Sequence, residues 1–309
     1  NLRPGQPWGV LAVSALSFII ALVAFGLLGP VLGCLIAGAD RIITARLQGR
    51  VGPPLLQPYY DVRKLLAKED VVVNGFQGFA VAMSLVFAIL AGAFFFAGGN
   101  FLLVVFILTL STLLFIVAAY STRSPFAEIG AEREIAQVMS YEPLVILMTV
   151  TFYMATSSFL GVGTFDVKAV LFLDRPLIVA LPLVFVALLF VLTIKLRKSP
   201  FDLSYSHHAH QELVKGISTE MSGRTLALVE IMHWYESVLF LGWVGLFFVW
   251  GSWLGWVLAL LCIVLVYLLE ILIDNNFARV KWQFMLASSW IVTFVCVAAN
   301  MVILVVLFA

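Results

Sequence analysis

Glu230, His233 and Glu236 are spaced three apart in an otherwise apolar run, flanked by Trp234 and Tyr235. On a helix they fall within about a 120° sector. An ionised carboxylate in hydrocarbon is strongly disfavoured unless it is paired or wetted, so acids at that depth are functional candidates by default. The chemistry they offer is proton transfer, and His233 suits it because imidazole titrates near neutrality. A purely structural alternative stands beside this one, in which Glu230 and Glu236 pair with Arg224 or with a neighbouring subunit. Glu142, next to Pro143, marks the entry of another apolar run. It is either a further relay acid or a favourable charge at a helix N-terminus. Glu270 and Asp274 end a later run at i and i+4, where pairing with Arg279 and Lys281, or contact with water, is expected.

Other chemistries find little support. Cys34, Cys262 and Cys296 are single residues inside apolar runs with no C-x-x-C pair, so this chain alone does not ligate an iron-sulfur cluster. Core packing is the simpler reading for all three. Only four histidines occur and H-E-x-x-H is absent. His207, His208 and His210 cluster in a polar stretch without a clear fourth ligand, so no metal site is expected. The expectation is a chain with no catalytic residue, metal or cofactor of its own, whose electrons, if any, travel in a partner. A net charge of +1 argues against a nucleic-acid partner.

The elements that must position these residues are set by composition. Of 309 residues, 63% are hydrophobic and 11% charged, which is a membrane composition. Apolar runs of about 20 residues or more, long enough to cross hydrocarbon, extend over Trp8 to Ala39, Phe76 to Ala97, Phe101 to Tyr120, Glu142 to Leu160, Leu177 to Ile194, Leu226 to Trp250, Trp253 to Ile273 and Phe284 to Leu307. A spanning segment without strand partners must be helical to satisfy its own backbone. The fold class is therefore all-α: a polytopic membrane protein with about eight transmembrane helices in a single domain over residues 1–309. The first run, about 45 Å long as a helix, is expected to tilt or protrude, with Gly26, Gly29, Pro30, Gly33 and Gly38 offering bends and close packing. Fifteen of the 18 basic residues fall in loops 1-2, 3-4, 5-6 and 7-8. The positive-inside rule places those loops in the cytoplasm and both termini outside, in a multi-pass protein of the cytoplasmic membrane. Nothing ahead of the first run reads as a cleavable signal peptide.

Three loops carry dense polar motifs. Loop 1-2 contains Arg46, Arg50, Gln57, Asp61 and Lys64 around a turn forced by Gly52, Pro53 and Pro54. Its Tyr59 to Lys68 stretch predicts a helix lying on the membrane surface, either a mere anchor or part of a docking face. Loop 3-4 runs from Ser121 into Arg133, Gln137 and Tyr141 before Glu142. Loop 5-6 holds Pro200-Phe201-Asp202-Leu203, the three histidines, Glu212 and Glu220, and is too long and polar to be only a connector.

These three loops resemble those of the H-subunit family of respiratory complex I and of the matching subunit in membrane-bound, energy-converting nickel-iron hydrogenases. The similar segments are Gln48, Arg50, Gly52, Pro53, Gln57, Pro58, Asp61 and Lys64; then Arg133, Ala136, Gln137, Ser140, Tyr141 and Glu142; then Pro200 to Leu203, Glu212 to Val214, Gly216, Thr219, Glu220, Ser222 and Gly223. They occur in the same order and on the same side, and the resemblance covers essentially the whole chain. Two departures separate it from the quinone-reducing branch. Lys195 and His233 stand where that branch has glutamates, and Ser206 to Glu212 resembles the hydrogenases. The resemblance implies a prokaryotic, non-catalytic, membrane-anchoring and coupling subunit. Its partners would be hydrogenase small and large subunits on the cytoplasmic side, carrying iron-sulfur clusters and the nickel-iron centre, an antiporter-like membrane subunit and, indirectly, ferredoxin. It also implies that helices four to six come together, uniting Glu142, Glu212, Glu220, Glu230, His233 and Glu236 in a proton relay. A quinone-linked complex I or formate hydrogenlyase subunit would share the fold. A stand-alone ion transporter is the rival of a different class, and no inverted repeat supports it.

Overall fold

The computed structural model describes residues 14–71, 74–204 and 215–308. Its helices are α1 (Ala15–Leu47), α2 (Gln57–Leu66), α3 (Gly75–Phe96), α4 (Phe101–Tyr120), α5 (Pro125–Leu160), α6 (Pro182–Lys195), α7 (Gly223–Leu246), α8 (Trp253–Asn276) and α9 (Trp282–Phe308). Short polar residues break the apolar runs and cap the helices that begin after them. The side chains of Ser14, Asn74, Asn100 and Ser252 accept backbone N–H groups of the first turns of α1, α3, α4 and α8. Pro125 and Pro182 open α5 and α6, where a missing N–H costs nothing.

Among the described residues, six helices (α1, α3, α4, α5, α8 and α9) are long and apolar enough to cross a membrane. The other two of the eight expected runs also form helices, α6 and α7, of a different character. The run from Leu177 is not one continuous helix: a 3-10 turn at Leu177–Val179 precedes α6, which has only 14 residues, about 21 Å. The α7 helix is long enough but falls outside the apolar set, because Arg224, Glu230 and Glu236 break its hydropathy.

Two boundaries differ from the expected ones, at loop 3-4 and at the end of the first run. Loop 3-4 is not a large loop, since α5 begins at Pro125 and continues for 36 residues to Gly161, whose φ of 72° ends it. Glu142 is consequently mid-helix rather than at an N-terminus, and Pro143 is accommodated inside the helix. The first helix starts at Ala15 and runs past Ala39 to Leu47 with Pro30 inside it; residues 8–13 of the expected span lie outside the described residues. The helix expected over Tyr59 to Lys68 forms as α2, two residues earlier at each end.

Connections gather at two opposite ends. At one, Asn100 pairs with Asp166, Ile178 N–H donates to Phe247, and Gly251 N–H donates to Leu173. At the other, Asp70 binds the backbone N–H of Arg224, and Val280 N–H donates to Pro200. Both described chain ends leave from the first end, opposite the basic loops. Between the ends, Phe101, Leu108, Leu144, Met148, Phe152, Leu188 and Trp243 form a fully buried core. The α1, α8 and α9 helices instead turn leucine-, valine- and isoleucine-rich faces outward, as expected of helices whose solvent is hydrocarbon. The close approach of α1 to α7 depends on Gly33, where a Cβ would collide with the backbone and Cβ of Trp234. Gly29 admits the Tyr235 ring in the same seam, whereas Gly26 has open space around it. Cys34 is buried as expected, whereas Cys262 and Cys296 are half-buried.

Candidate functional site

Three cations at the end of α6 organise the polar interior. The helix stops at Lys195, and the chain turns at Arg197, whose φ of 52° is left-handed and uncommon for a non-glycine residue. That turn sends Lys195, Arg197 and Lys198 in different directions. Lys195 Nζ lies 3.5 Å from the centroid of the Tyr141 ring and within electrostatic reach of Glu236, Glu142 and Glu134. Arg197 bridges two acids, with Nη2 3.0 Å from Glu134 and Nη1 3.1 Å from Glu236. Lys198 Nζ is 2.8 Å from Asp40 on α1 and 3.7 Å from Asp274 on α8. Burial disfavours the Arg197 cation, but Glu134 and Glu236 outweigh it and hold its pKa above the usual arginine value.

A polar cavity of about 240 Å³ opens among these groups. Glu230, His233 and Glu236 line it from α7, as their spacing predicts, facing Asp40, Lys198 and Asp274. A narrow space of about 10 Å³, enough for one water, continues from it to Thr112, Glu134, Gln137 and Tyr141, sharing Lys195, Arg197 and Glu236 as its wall. Glu142 sits beyond Tyr141, where its Oε1 accepts from Thr109 at 2.7 Å and its buried Oε2 has no partner. Ser204 donates to Glu134, and Gln137 donates to the Phe201 carbonyl, tying α5 to the Pro200-Phe201-Asp202-Leu203 motif. Arg133 reaches the Leu203 carbonyl at 3.5 Å.

Of the six residues expected in a relay, Glu230, His233 and Glu236 line the cavity and Glu142 lies within electrostatic reach of Lys195. Glu220 is half-buried at the edge, its carbonyl 3.5 Å from Gln77, and does not line the cavity. Glu212, His207, His208 and His210 lie outside the described residues. Predicted pairings also change. Glu236 pairs with Arg197 rather than Arg224, which instead lies against Asp70. Asp274 pairs with Lys198, and Arg279 is 3.7 Å from Asp202, so the expected Asp274 pairing with Arg279 does not form. Glu270 does not face water: it is completely buried.

Of the docking residues, Arg46, Arg50 and Lys64 are exposed at the loop end. Arg50 donates to Gln48. Asp61 receives Arg41 at 2.5 Å and Gln57 at 2.9 Å. Partial burial works against its charge, but these two donors win and hold its carboxyl below the usual aspartate range.

Several members of this cluster escape a reading of the sequence: Asp40, Glu134, Arg197 and Lys198. Glu134, Gln137 and Tyr141 stand at i, i+3 and i+7, a helical face that becomes visible once α5 is extended upstream of Glu142.

Comparison with known proteins agrees with the geometry. Residues 18–305 match the family described as NADH dehydrogenase. Hydrogenase-4 component C of Escherichia coli is 27% identical, with 92% of this chain and 93% of that protein covered. Formate hydrogenlyase subunit 4 of the same organism is 28% identical over 83% of this chain and 89% of that one. The NADH-quinone oxidoreductase H-subunit of Dehalococcoides mccartyi is 30% identical over 85% and 79%. In fold, the chain is similar to one in the membrane-bound sulfane sulfur reductase, an archaeal respiratory membrane complex, with a TM-score of 0.79, 22% identity and coverage of 93% and 99%. With an H-subunit match across most of its length, two hydrogenase-type relatives and a buried ionic seam in a helical membrane bundle, the chain belongs to the NADH dehydrogenase family, as a membrane subunit of an energy-converting oxidoreductase.

Proposed function

We propose that this chain is the membrane-anchoring and coupling subunit of a ferredoxin-linked nickel-iron hydrogenase, linking hydrogen evolution on its loop face to proton or sodium translocation. The observation that carries the coupling role is the ionic seam from Glu142 through Lys195, Arg197 and Glu236 to the cavity under Glu230 and His233. It meets the Pro200-Phe201-Asp202-Leu203 segment at Glu134 and Gln137 of α5. The hydrogenase branch is favoured by Lys195 and His233 at the two positions where the quinone-linked branch carries glutamates, and by the two hydrogenase-type relatives.

In this reading the redox subunits dock on Arg46, Arg50, Lys64 and the Asp202 loop, and this chain holds no redox group. Its own residues hold and move protons. Tyr141 and Thr112 flank the water-sized gap beside Lys195 and the Glu134–Arg197–Glu236 triad, and a change in the Asp202 segment reaches Glu134 and Arg197 through Ser204 and Gln137. A subunit that couples in this way needs an element with two arrangements that both sites bias.

The test is hydrogen evolution from reduced ferredoxin by the complex that copurifies with this chain in mild detergent. Activity is expected. Quinone reduction without hydrogen evolution, with partner subunits intact, would overturn the hydrogenase assignment in favour of the quinone-linked branch. In liposomes, Glu236→Gln is expected to lower ion uptake per hydrogen evolved, and a native ratio would refute the relay.

A further inference from the structure

The ionic seam leaves out one acid. Glu270 on α8 is completely buried, and neither of its carboxyl oxygens has a hydrogen-bond partner. The α8 helix otherwise sends Leu260, Leu261, Val264, Leu265 and Leu272 outward, so Glu270 is turned into the bundle against the general character of its helix. A turn away on either side, Tyr267 and Asp274 line the 240 Å³ cavity, which has room for several waters and enough polar groups to hold them.

Three elements present charge or titratable groups to this corner. From α1 comes Asp40, with Arg41 at the cavity edge; from α8 itself come Tyr267 and Asp274; from the segment after α6 comes Lys198. Across the cavity stand Glu230, His233 and Glu236 of α7. Asp40 uses one oxygen for Lys198, while its other oxygen is buried and unpartnered. Lys198 is thus held by Asp40 and Asp274 while lying within electrostatic reach of Glu270. An isolated carboxylate without hydrogen bonds is strongly disfavoured in such surroundings, whereas the neutral acid is tolerated. The geometry gives Asp40 a cation partner in Lys198 and leaves Glu270 with neither a direct ion pair nor a hydrogen bond.

We propose that Asp40, Lys198 and Glu270 form a two-position proton switch, a second arm of the relay in which Lys198 exchanges one carboxylate for the other. In the step, which starts from a carboxylate at Asp40 and a neutral acid at Glu270, the O–H bond of Glu270 breaks and its proton passes through cavity water to the free oxygen of Asp40. Lys198 then moves from Asp40 to the new Glu270 carboxylate. One proton and one ion pair exist before and after, so the net charge of the site is unchanged and no further reactant is needed. Lys198 sits two residues before the Pro200-Phe201-Asp202-Leu203 motif and one after Arg197, so a displacement of that segment biases the exchange. This supplies the two-state element that the coupling reading requires, and the inference rests on that reading.

Infrared spectra of the purified complex, native, Glu270→Gln and Glu270→Leu, test the switch. The native complex is expected to show a neutral-carboxyl C=O band that both variants lack and that shifts on reduction and reoxidation. In Lys198→Met the band should remain but no longer respond to the redox cycle. In liposomes, ion uptake per redox turnover in Glu270→Gln should fall severalfold. The band is read whatever electron acceptor the complex uses, so it tests Glu270 separately from the hydrogenase assignment. Identical spectra for the native and Glu270→Gln complexes would overturn the proposal. So would a lowered uptake ratio in Glu236→Gln with a native ratio in Glu270→Gln, which would leave the first arm standing.

Discussion

Arg197→Met isolates the contribution of the central ion triad. The native guanidinium spans Glu134 and Glu236 at 3.0 and 3.1 Å, and the three side chains are 12%, 4% and 6% exposed. Methionine fills a similar volume but leaves two carboxylates buried together without a directly bonded cation, with only Lys195 within electrostatic reach. Removing one partner of a buried pair costs about 3–5 kcal/mol, and the second stranded acid places the variant at the upper part of that range. At roughly 2–3 °C per kcal/mol for a chain of this size, the apparent Tm should fall by about 8–15 °C. The assay is thermal unfolding of the detergent-solubilised complex followed by tryptophan fluorescence. The same measurement on Arg197→Met/Glu134→Gln/Glu236→Gln, which removes all three charges, should recover most of the loss, because neutral replacement of a whole buried network is nearly free. The cycle separates the triad from the mere change of shape. A native Tm for Arg197→Met, or no recovery in the triple variant, would refute the claim that stranded charge, rather than lost packing, is what the arginine prevents.

Other outcomes follow from single contacts. Gly33→Ala should destabilise by about 1–3 kcal/mol, read as a lower Tm, because its Cβ meets Trp234 backbone that has nowhere to move. Asn300→Ala should cost about 1–3 kcal/mol and leave the ion-uptake ratio native, since its amide bonds the Leu183 N–H and the Ala180 carbonyl, far from the ionic seam. Asp61→Asn should cost only about 0.2–1 kcal/mol at neutral pH, because the Arg41 pair is largely exposed. The carboxyl is held below its ordinary value, so its stabilisation is present above about pH 4 and is lost as pH falls through the folded value. A denaturation comparison of native and variant proteins should therefore converge in acid, and a difference that grows in acid would contradict the assignment.

The helical membrane fold was legible because 20-residue apolar runs admit few other structures, and the polar stops between them coincide with real caps such as Asn74, Asn100 and Ser252. What misled was the assumption that charge marks a loop. The segment from Pro125 to Tyr141 is helical despite its acids, because Glu134 and Gln137 satisfy partners from a distant part of the chain, Arg197, Ser204 and Phe201. For the same reason the α7 face of Glu230, His233 and Glu236 could be found from spacing alone, while Asp40 and Lys198, 158 residues apart, could not. No local pattern encodes a long-range ion pair, and the Glu270 environment emerges only when α8 is set against α1 and the segment after α6.

The uninterrupted path of α5 has a mechanical meaning. Glu134, bonded to the segment after α6, and Glu142, deep in the bundle, ride on one helical rod eight residues, or about 12 Å, apart. A helix resists compression along its axis because its turns are hydrogen-bonded to one another, and where Pro143 removes one bond the Met139 carbonyl accepts from Trp290 instead. A push on the exposed beginning of that rod, near Phe126 and Ile129, would be carried toward Thr109 and Lys195, whereas a hinge between loop and span would absorb it. Continuity turns the segment from a surface recognition loop into a lever, and an inserted glycine pair between Gln137 and Tyr141 would work as a clutch.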